Sequence, residues 1–259
     1  MNLFEHFRKE EHPFIEQALD WLAFVEERHE TKLTDFLDPR QVYILQTLLA
    51  RFDEVKLTPF GGFNGAERCR VLLHQHYYEP KEDESGLAAF QLTASSQASF
   101  QKLTHRDILG ALMAAGLKRD KFGDIHIHPD QAQIVVAEEI ADYLRLQFTQ
   151  ANRVSVLLES IEFSQLIPVV NEWKTMNITV SSSRVDVVAG EVFRLSRSKI
   201  LSPIRGGSLR VNWMVVDSPS FIVQEGDIVS LRGFGRFKIQ KNEGNTRKGN
   251  TRLEIGALL

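Results

Sequence analysis

The chain has 259 residues, 43% hydrophobic and 25% charged, with a formal net charge of −3, which is ordinary for a soluble globular protein. Cys69 is the only cysteine, which excludes an internal disulfide framework and a thiolate metal finger and fits a reducing cytosol. The opening MNLFEHFRKEEHPF turns acidic too early for a signal sequence, and no run approaches the roughly 18–20 apolar residues of a membrane helix. A cytoplasmic protein with no membrane partner is expected.

The mild net charge conceals an asymmetry. Residues 182–259 hold thirteen Lys and Arg against seven Asp and Glu, a surplus of six positive charges, while the remainder carries a surplus of nine negative ones. A basic end on an acidic body is the footprint of a polyanion-binding module carried by something else.

In chain order, Pro13 to Glu30 reads as a helix with Ile15, Ala18, Leu19, Leu22 and Val25 on one face and Glu16, Asp20, Glu26 and Glu27 opposite. Thr34 or Asp38 can cap further turns. Asp38-Pro39 is a good N-cap/N1 pair for a helix through Arg51 that buries Val42, Leu45, Leu48 and Leu49. An acidic polar face favours packing on a neighbour over lying on a membrane. Between Lys56 and Tyr78 two strand-like runs flank Gly61-Gly62-Phe63-Asn64-Gly65. The lysine and Ser/Thr of a phosphate-binding loop are missing, so a hairpin turn is the better reading. His74 with His76, and His126 with His128, supply donors for a four-histidine metal site. Histidine pairs on strand faces are common and no thiolate accompanies them, so neither metal nor cofactor is expected.

From Leu87 to Leu158 the order is strand (Leu87–Thr93), helix (Thr104–Ala115, with Asp107 at capping-box distance and Gly116 as stop), hairpin (Asp124–His128 with Gln133–Val136), helix (Glu138–Phe148) and strand (Arg153–Leu158). This β-α-β-β-α-β order is the ferredoxin-like arrangement shared by RRM-type RNA binders. The third strand, Gln133-Ile134-Val135-Val136, lacks the exposed aromatics that stack bases in an RRM. Lys118, Arg119 and Lys121, in the loop from Gly116 to Ile125 beside a sheet edge, form a secondary candidate RNA contact.

Beyond Ser182, Val185, Val188, Ala189, Val192 and Phe193 fall at helical spacing. Leu195-Ser196 breaks that helix, and Ser196 caps a second with Arg197 and Lys199 in its first turn. Cations there oppose the helix dipole, which points to an anionic partner. Pro203 should kink this helix and Gly206-Gly207 should stop it. Short strands follow at Leu209–Asn212, Met214–Val216 and Ile228–Arg232.

That order, with R-x-D, S-R-S-K, I-x-x-G-x-x-x-V-N and E-G-D-x-I in sequence from Arg184 to Ile228, resembles the S4 RNA-binding domain. The resemblance implies that the paired helices and the hairpin form one basic surface for structured RNA. The candidate RNA-binding residues are Arg184, Arg194, Ser196, Arg197, Ser198, Lys199, Arg205, Arg210, Asn212, Trp213, Arg232, Arg236 and Lys238. Trp213 stands where the family pattern has a turn glycine.

Three further phrases, G-G-F-N-G-A-E-R-C-R, G-L-K-R-D-K-F-G-D-I and R-G-F-G-R-F-K-I, extend the likeness to nearly the whole chain, which looks like the bacterial YlmH family. That resemblance implies an α+β protein with a helical segment and β-hairpin over 1–80, a ferredoxin-like (RRM-like) domain over 81–165, a linker over 166–181 and an S4-type α/β domain over 182–259. It also implies a monomeric, non-enzymatic factor that binds ribosomal RNA of the large subunit, with transfer RNA as a further candidate and no DNA, in translation or the rescue of stalled nascent-chain complexes. Two other readings stay open: an RNA-modifying enzyme using carboxylates such as Asp107 or Asp124 with the S4 domain as anchor, and a cell-division protein adaptor. Neither a glycine fingerprint for a methyl donor nor adenylate-forming motifs are found, so no catalytic residue is assigned.

Overall fold

The computed structural model describes Phe4 and residues 7–94, 103–167, 173–247 and 249–258. The chain divides into two compact units, Met1–Val169 and Val170–Leu259. The architecture is α+β in both. Among the described residues no helix is long and apolar enough to cross a membrane.

The first unit opens with α1 (His12–Arg28) and α2 (Pro39–Leu49). Asp38 starts α2 as expected: its carboxylate accepts from the Gln41 N–H at 2.9 Å, and Pro39 fills N1. Thr34 is no cap. Its hydroxyl donates to Asp35 O and accepts from Val71 N, which fixes the chain against a strand. Both helices pack on the sheet β1 (Lys32–Leu33), β3 (Arg70–Gln75), β2 (Val55–Phe60), antiparallel in that order. Ile15, Ala18, Leu22 and Val25 from α1 are buried with Ile44, Leu45 and Leu48 from α2. Val42 and Leu49, expected in the core, are only partly buried, and Ile44 takes the inner position.

The second half of this unit is a five-stranded antiparallel sheet ordered β5 (Phe122–Ile127), β6 (Ala132–Ala137), β4 (Leu87–Ala94), β8 (Val154–Ile161), β7 (Gln150–Ala151). With α3 (His105–Ala114) and α4 (Ala141–Gln147) as crossovers, its first four strands follow the ferredoxin-like order. One face holds Phe90, Ile134 and Val136 against α3 and α4. The other face is covered too. Leu87, Ala89, Val135 and Ala137 lie under Phe36, Phe60, Phe63 and Leu166. Every residue of β6 is therefore buried, so the surface on which an RRM stacks bases is closed by the unit's own side chains.

The two phrases around Gly61 and Gly116 meet at this cover. Asp124 accepts the main-chain N–H groups of Glu67 and Arg68 at 2.6 and 3.2 Å. Arg68 donates to the carbonyls of Phe36 and Arg119. Phe63 packs edge-on against His126, ring centroids 4.7 Å apart. At Gly123 an added Cβ would lie 2.7 Å from the Phe36 ring, so glycine is needed for the close approach.

The second unit is a six-stranded antiparallel sheet ordered β11 (Met214–Val215), β10 (Leu209–Val211), β12 (Ile228–Leu231), β13 (Gly235–Asn245), β14 (Thr251–Leu258), β9 (Lys174–Val180). Helices α5 (Val185–Val192) and α6 (Arg197–Arg205) share one core with it. Residues 166–181, read as linker, contain β9, which pairs along seven positions with β14. Residues 168–172 of that connection lie outside the described residues.

Candidate nucleic-acid interface

The apolar face of α5 is buried as its spacing predicts. Its end takes the Schellman form: Leu195 N–H donates to Gly190 O and Arg194 N–H to Glu191 O. Arg194 thereby occupies the left-handed seat at φ 54, where glycine is usual. An L-residue there costs about 1–2 kcal/mol.

Helix α6 starts at Arg197 with Ser196 extended at the N-cap. The Ser196 hydroxyl does not cap a backbone N–H; it sits 3.2 Å from the Ser198 hydroxyl. That leaves the first-turn N–H groups of α6 facing outward beside Ser196, Arg197, Ser198 and Lys199, all exposed, with no acid in that turn. Helix α6 continues two residues past Pro203 and closes in a second Schellman turn, with Gly207 at φ 68. The proline removes one internal hydrogen bond without ending the helix.

A groove of about 430 Å³ opens where the two helix starts approach, lined in part by Ser181, Ser182, Arg184, Glu191 and Arg197. Arg184 is oriented there by two hydrogen bonds to Asp186, which raise its pKa further. Arg205 ends α6, where a cation suits the helix dipole.

Asn212 and Trp213 form the β10–β11 turn with φ of 48 and 64, positive at both central positions as in a type I′ turn. Asn212 was a candidate RNA contact, and the structure gives it another task. Its side-chain amide donates to Asp227 at 2.8 Å and its carbonyl accepts from the Ile228 N–H at 2.9 Å, tying the turn to β12. Trp213 is part-buried, and its carbonyl accepts from Arg210 at 3.1 Å. It does not belong to the apolar core of the unit. Arg210 and Arg232 are exposed, whereas Arg236 and Lys238 on β13 are half-buried opposite Ser230 and Ile228. Sequence reading passed over Lys241, Arg247 and Arg252, exposed on the far part of the β13–β14 hairpin; the polar run KNEGNTRKGNTR was their signal.

Two of the three cations in the secondary cluster are engaged within the protein. Arg119 donates to the carbonyls of Phe122 and Gly123 and lies over the Phe122 ring. Burial, opposed by nearby carboxylates and reinforced by Arg68, pushes its pKa down to about 10, which leaves it charged at neutral pH. Lys121 is paired with Asp35 at 2.6 Å and Glu139 at 3.1 Å. Only Lys118 of the three is exposed.

The two candidate catalytic carboxylates are also engaged. Asp107 is held below the usual carboxylate range by hydrogen bonds from Thr104 and Asn152. Asp124 is pushed up by burial but spends both oxygens on main-chain amides. Burial likewise raises the Cys69 thiol to about 11, which makes it a poor nucleophile. The histidines are dispersed: His74 bonds Thr58 and Gln75, His76 pairs with Glu54, His126 packs on Phe63 and His128 bonds Ile167. Among the described residues no cluster of three or more metal-type ligands occurs.

Residues 10–78 match the family profile described as "YlmH, N-terminal", and residues 80–165 match "Putative RNA-binding domain in YlmH". A Bacillus subtilis protein named "Ribosome-associated protein quality control protein P2" is 44% identical over 253 residues, covering 97% of each chain. The chain belongs to the YlmH family. A solved YlmH structure, "Cell division protein ylmH from Streptococcus pneumoniae", superposes with a TM-score of 0.56 at 24% identity, over 64% of this chain and all of the other, and shares its fold.

Proposed function

We propose that this YlmH protein is a non-enzymatic RNA-binding factor of the large ribosomal subunit, acting in the rescue of stalled nascent-chain complexes. Residues 182–259 would serve as an S4-type docking module, with ribosomal RNA as ligand and transfer RNA as a further one. The observation that carries this reading is the groove between α5 and α6. Arg184 and Arg197 line it, and the first turn of α6 adds exposed N–H groups, hydroxyls and Lys199 without an acid. Such a constellation suits phosphate oxygens, which accept from N–H groups and cations alike. The name of the Bacillus subtilis relative supports the ribosomal setting. Engagement of Asp107 and Asp124 in structural hydrogen bonds weighs against the modifying-enzyme reading.

The test is cosedimentation of the full chain with separated ribosomal subunits, with RNA crosslinks mapped. Recovery with the large subunit and crosslinks from residues of the α5–α6 groove are expected. Recovery with neither subunit, or crosslinks confined to residues 1–169, would overturn the reading.

A further inference from the structure

The turn from β12 to β13 presents an aromatic ring that the docking groove does not use. Phe234 is 43% exposed, although rings of this size are usually buried. Its main-chain N–H donates to Leu231 O at 3.0 Å, and Gly233 and Gly235 on either side adopt φ of 86 and 107. A Cβ added at Gly233 would meet nothing within 4 Å, so the ground beside the ring is open.

The ring is firmly backed. Phe193 lies behind it with centroids 6.0 Å apart, and Phe193 in turn packs edge-on at 5.4 Å against the fully buried Phe237. Phe193 is also the last residue before Arg194, the arginine held at φ 54 in a seat where glycine would be unstrained. Strained residues of this kind are held by the structure around them, here the Schellman turn, and cluster at functional sites. Arg232, exposed, opens the same turn, and the stretch Arg232–Lys238 contains no acid.

We propose that Phe234 is a stacking platform for one unpaired nucleotide, with Arg194 and Arg232 receiving the adjoining phosphates. A flat, rigid ring in an acid-free stretch that carries exposed cations matches a nucleobase and its backbone, whereas an apolar protein side chain would have no use for the arginines. This site rests on the RNA-docking reading and adds a contact to unpaired RNA outside the α5–α6 groove.

The experiment measures binding of the full chain to isolated large-subunit ribosomal RNA and to intact large subunits across a salt series, with melting temperatures alongside. Phe234→Ala and Phe234→Leu are expected to weaken RNA binding by the folded protein roughly 5-fold or more, Phe234→Leu with a melting temperature close to wild type because it still covers Phe193. Phe234→Trp should retain affinity, and the salt slope should not move for any of the three. Arg194→Gly should raise the melting temperature while lowering the slope by about 0.7–0.9, one phosphate contact. If Phe234→Ala and Phe234→Leu bind RNA normally while Arg197→Glu does not, stacking is refuted and the docking reading stands. If neither Phe234 nor Arg197 substitutions matter, the docking reading falls and stacking with it. Normal RNA affinity with weaker binding to intact subunits would make Phe234 a protein contact and overturn the proposal.

Discussion

Arg184 is clamped on Asp186 by two hydrogen bonds, 3.0 and 2.9 Å, with the carboxylate sealed at 1% exposure and the guanidinium 37% open. The buried acid fixes the orientation of the partly open guanidinium. Arg184→Lys cannot reproduce the two-point geometry. RNA binding should fall several-fold at a melting temperature close to wild type. Asp186→Ala should lower both, because it removes a buried partner and releases Arg184; affinity and thermal melting of the two variants check this.

Arg197 tests the groove directly. Arg197→Glu places an acid in the first turn of α6, which suits the helix dipole but repels phosphate. Large-subunit cosedimentation should fall at least tenfold while stability stays within about 0.5 kcal/mol, as for exposed substitutions generally. Equal loss of folding and binding would mark the residue as structural.

Asn212 is expected to behave in the opposite way. Asn212→Ala removes two side-chain hydrogen bonds that hold the turn to Asp227 and Ile228. A cost of about 1–3 kcal/mol follows. The melting temperature should drop, with RNA affinity of the folded protein retained.

What the sequence made legible divides along a physical line. Helix starts could be read because their determinants are local: Asp38 and Gln41, or Thr104 and Asp107, are three residues apart. The fate of polar side chains could not. Asn212 finds Asp227 fifteen residues away, and Lys121 finds Asp35 eighty-six away, so turn and loop residues that read as free donors are already engaged. Strand β9 was missed for the same reason, since its partner β14 lies at the far end of the chain. Arg197 and Lys199 are exposed at a helix start as the sequence suggests, because adjacent cations there need no distant partner to be recognised.

Glu139 should make the first unit acid-sensitive. It bonds Arg70 at 2.8 Å and Lys121 at 3.1 Å. Burial alone would raise its pKa, but hydrogen bonds from its own backbone N–H, from Lys121 and from Arg70 hold it below the ordinary glutamate value. A carboxyl depressed in the folded state stabilises above the unfolded pKa and loses that contribution as pH falls through the folded one. Glu139→Gln should therefore lower the melting temperature at pH 7, with the gap to wild type closing below about pH 4.3. A pH-independent gap would show that charge is not the cause.

Gly123 offers a check on the closed sheet face. Gly123→Ala drives a methyl group into the ring of Phe36, which is 1% exposed and has no room to retreat. Overpacking of about 1–3 kcal/mol is expected. Calorimetry should record it, with RNA affinity of the folded protein unaltered.

The separation of charge between the two units has a consequence for how the molecule meets a polyanion. At about 0.15 M salt the Debye length is about 8 Å, so a phosphate group held against the basic unit feels chiefly the charges within that distance of it. At about 0.01 M the screening length grows to about 30 Å, and the field of the whole molecule, net −3, reaches the target. Encounter rates with RNA should thus rise less on dilution of salt than the six positive charges of the second unit alone would dictate. At long range the negative charge of the first unit offsets the positive charge of the second, so discrimination among polyanions would fall to contacts made at close quarters.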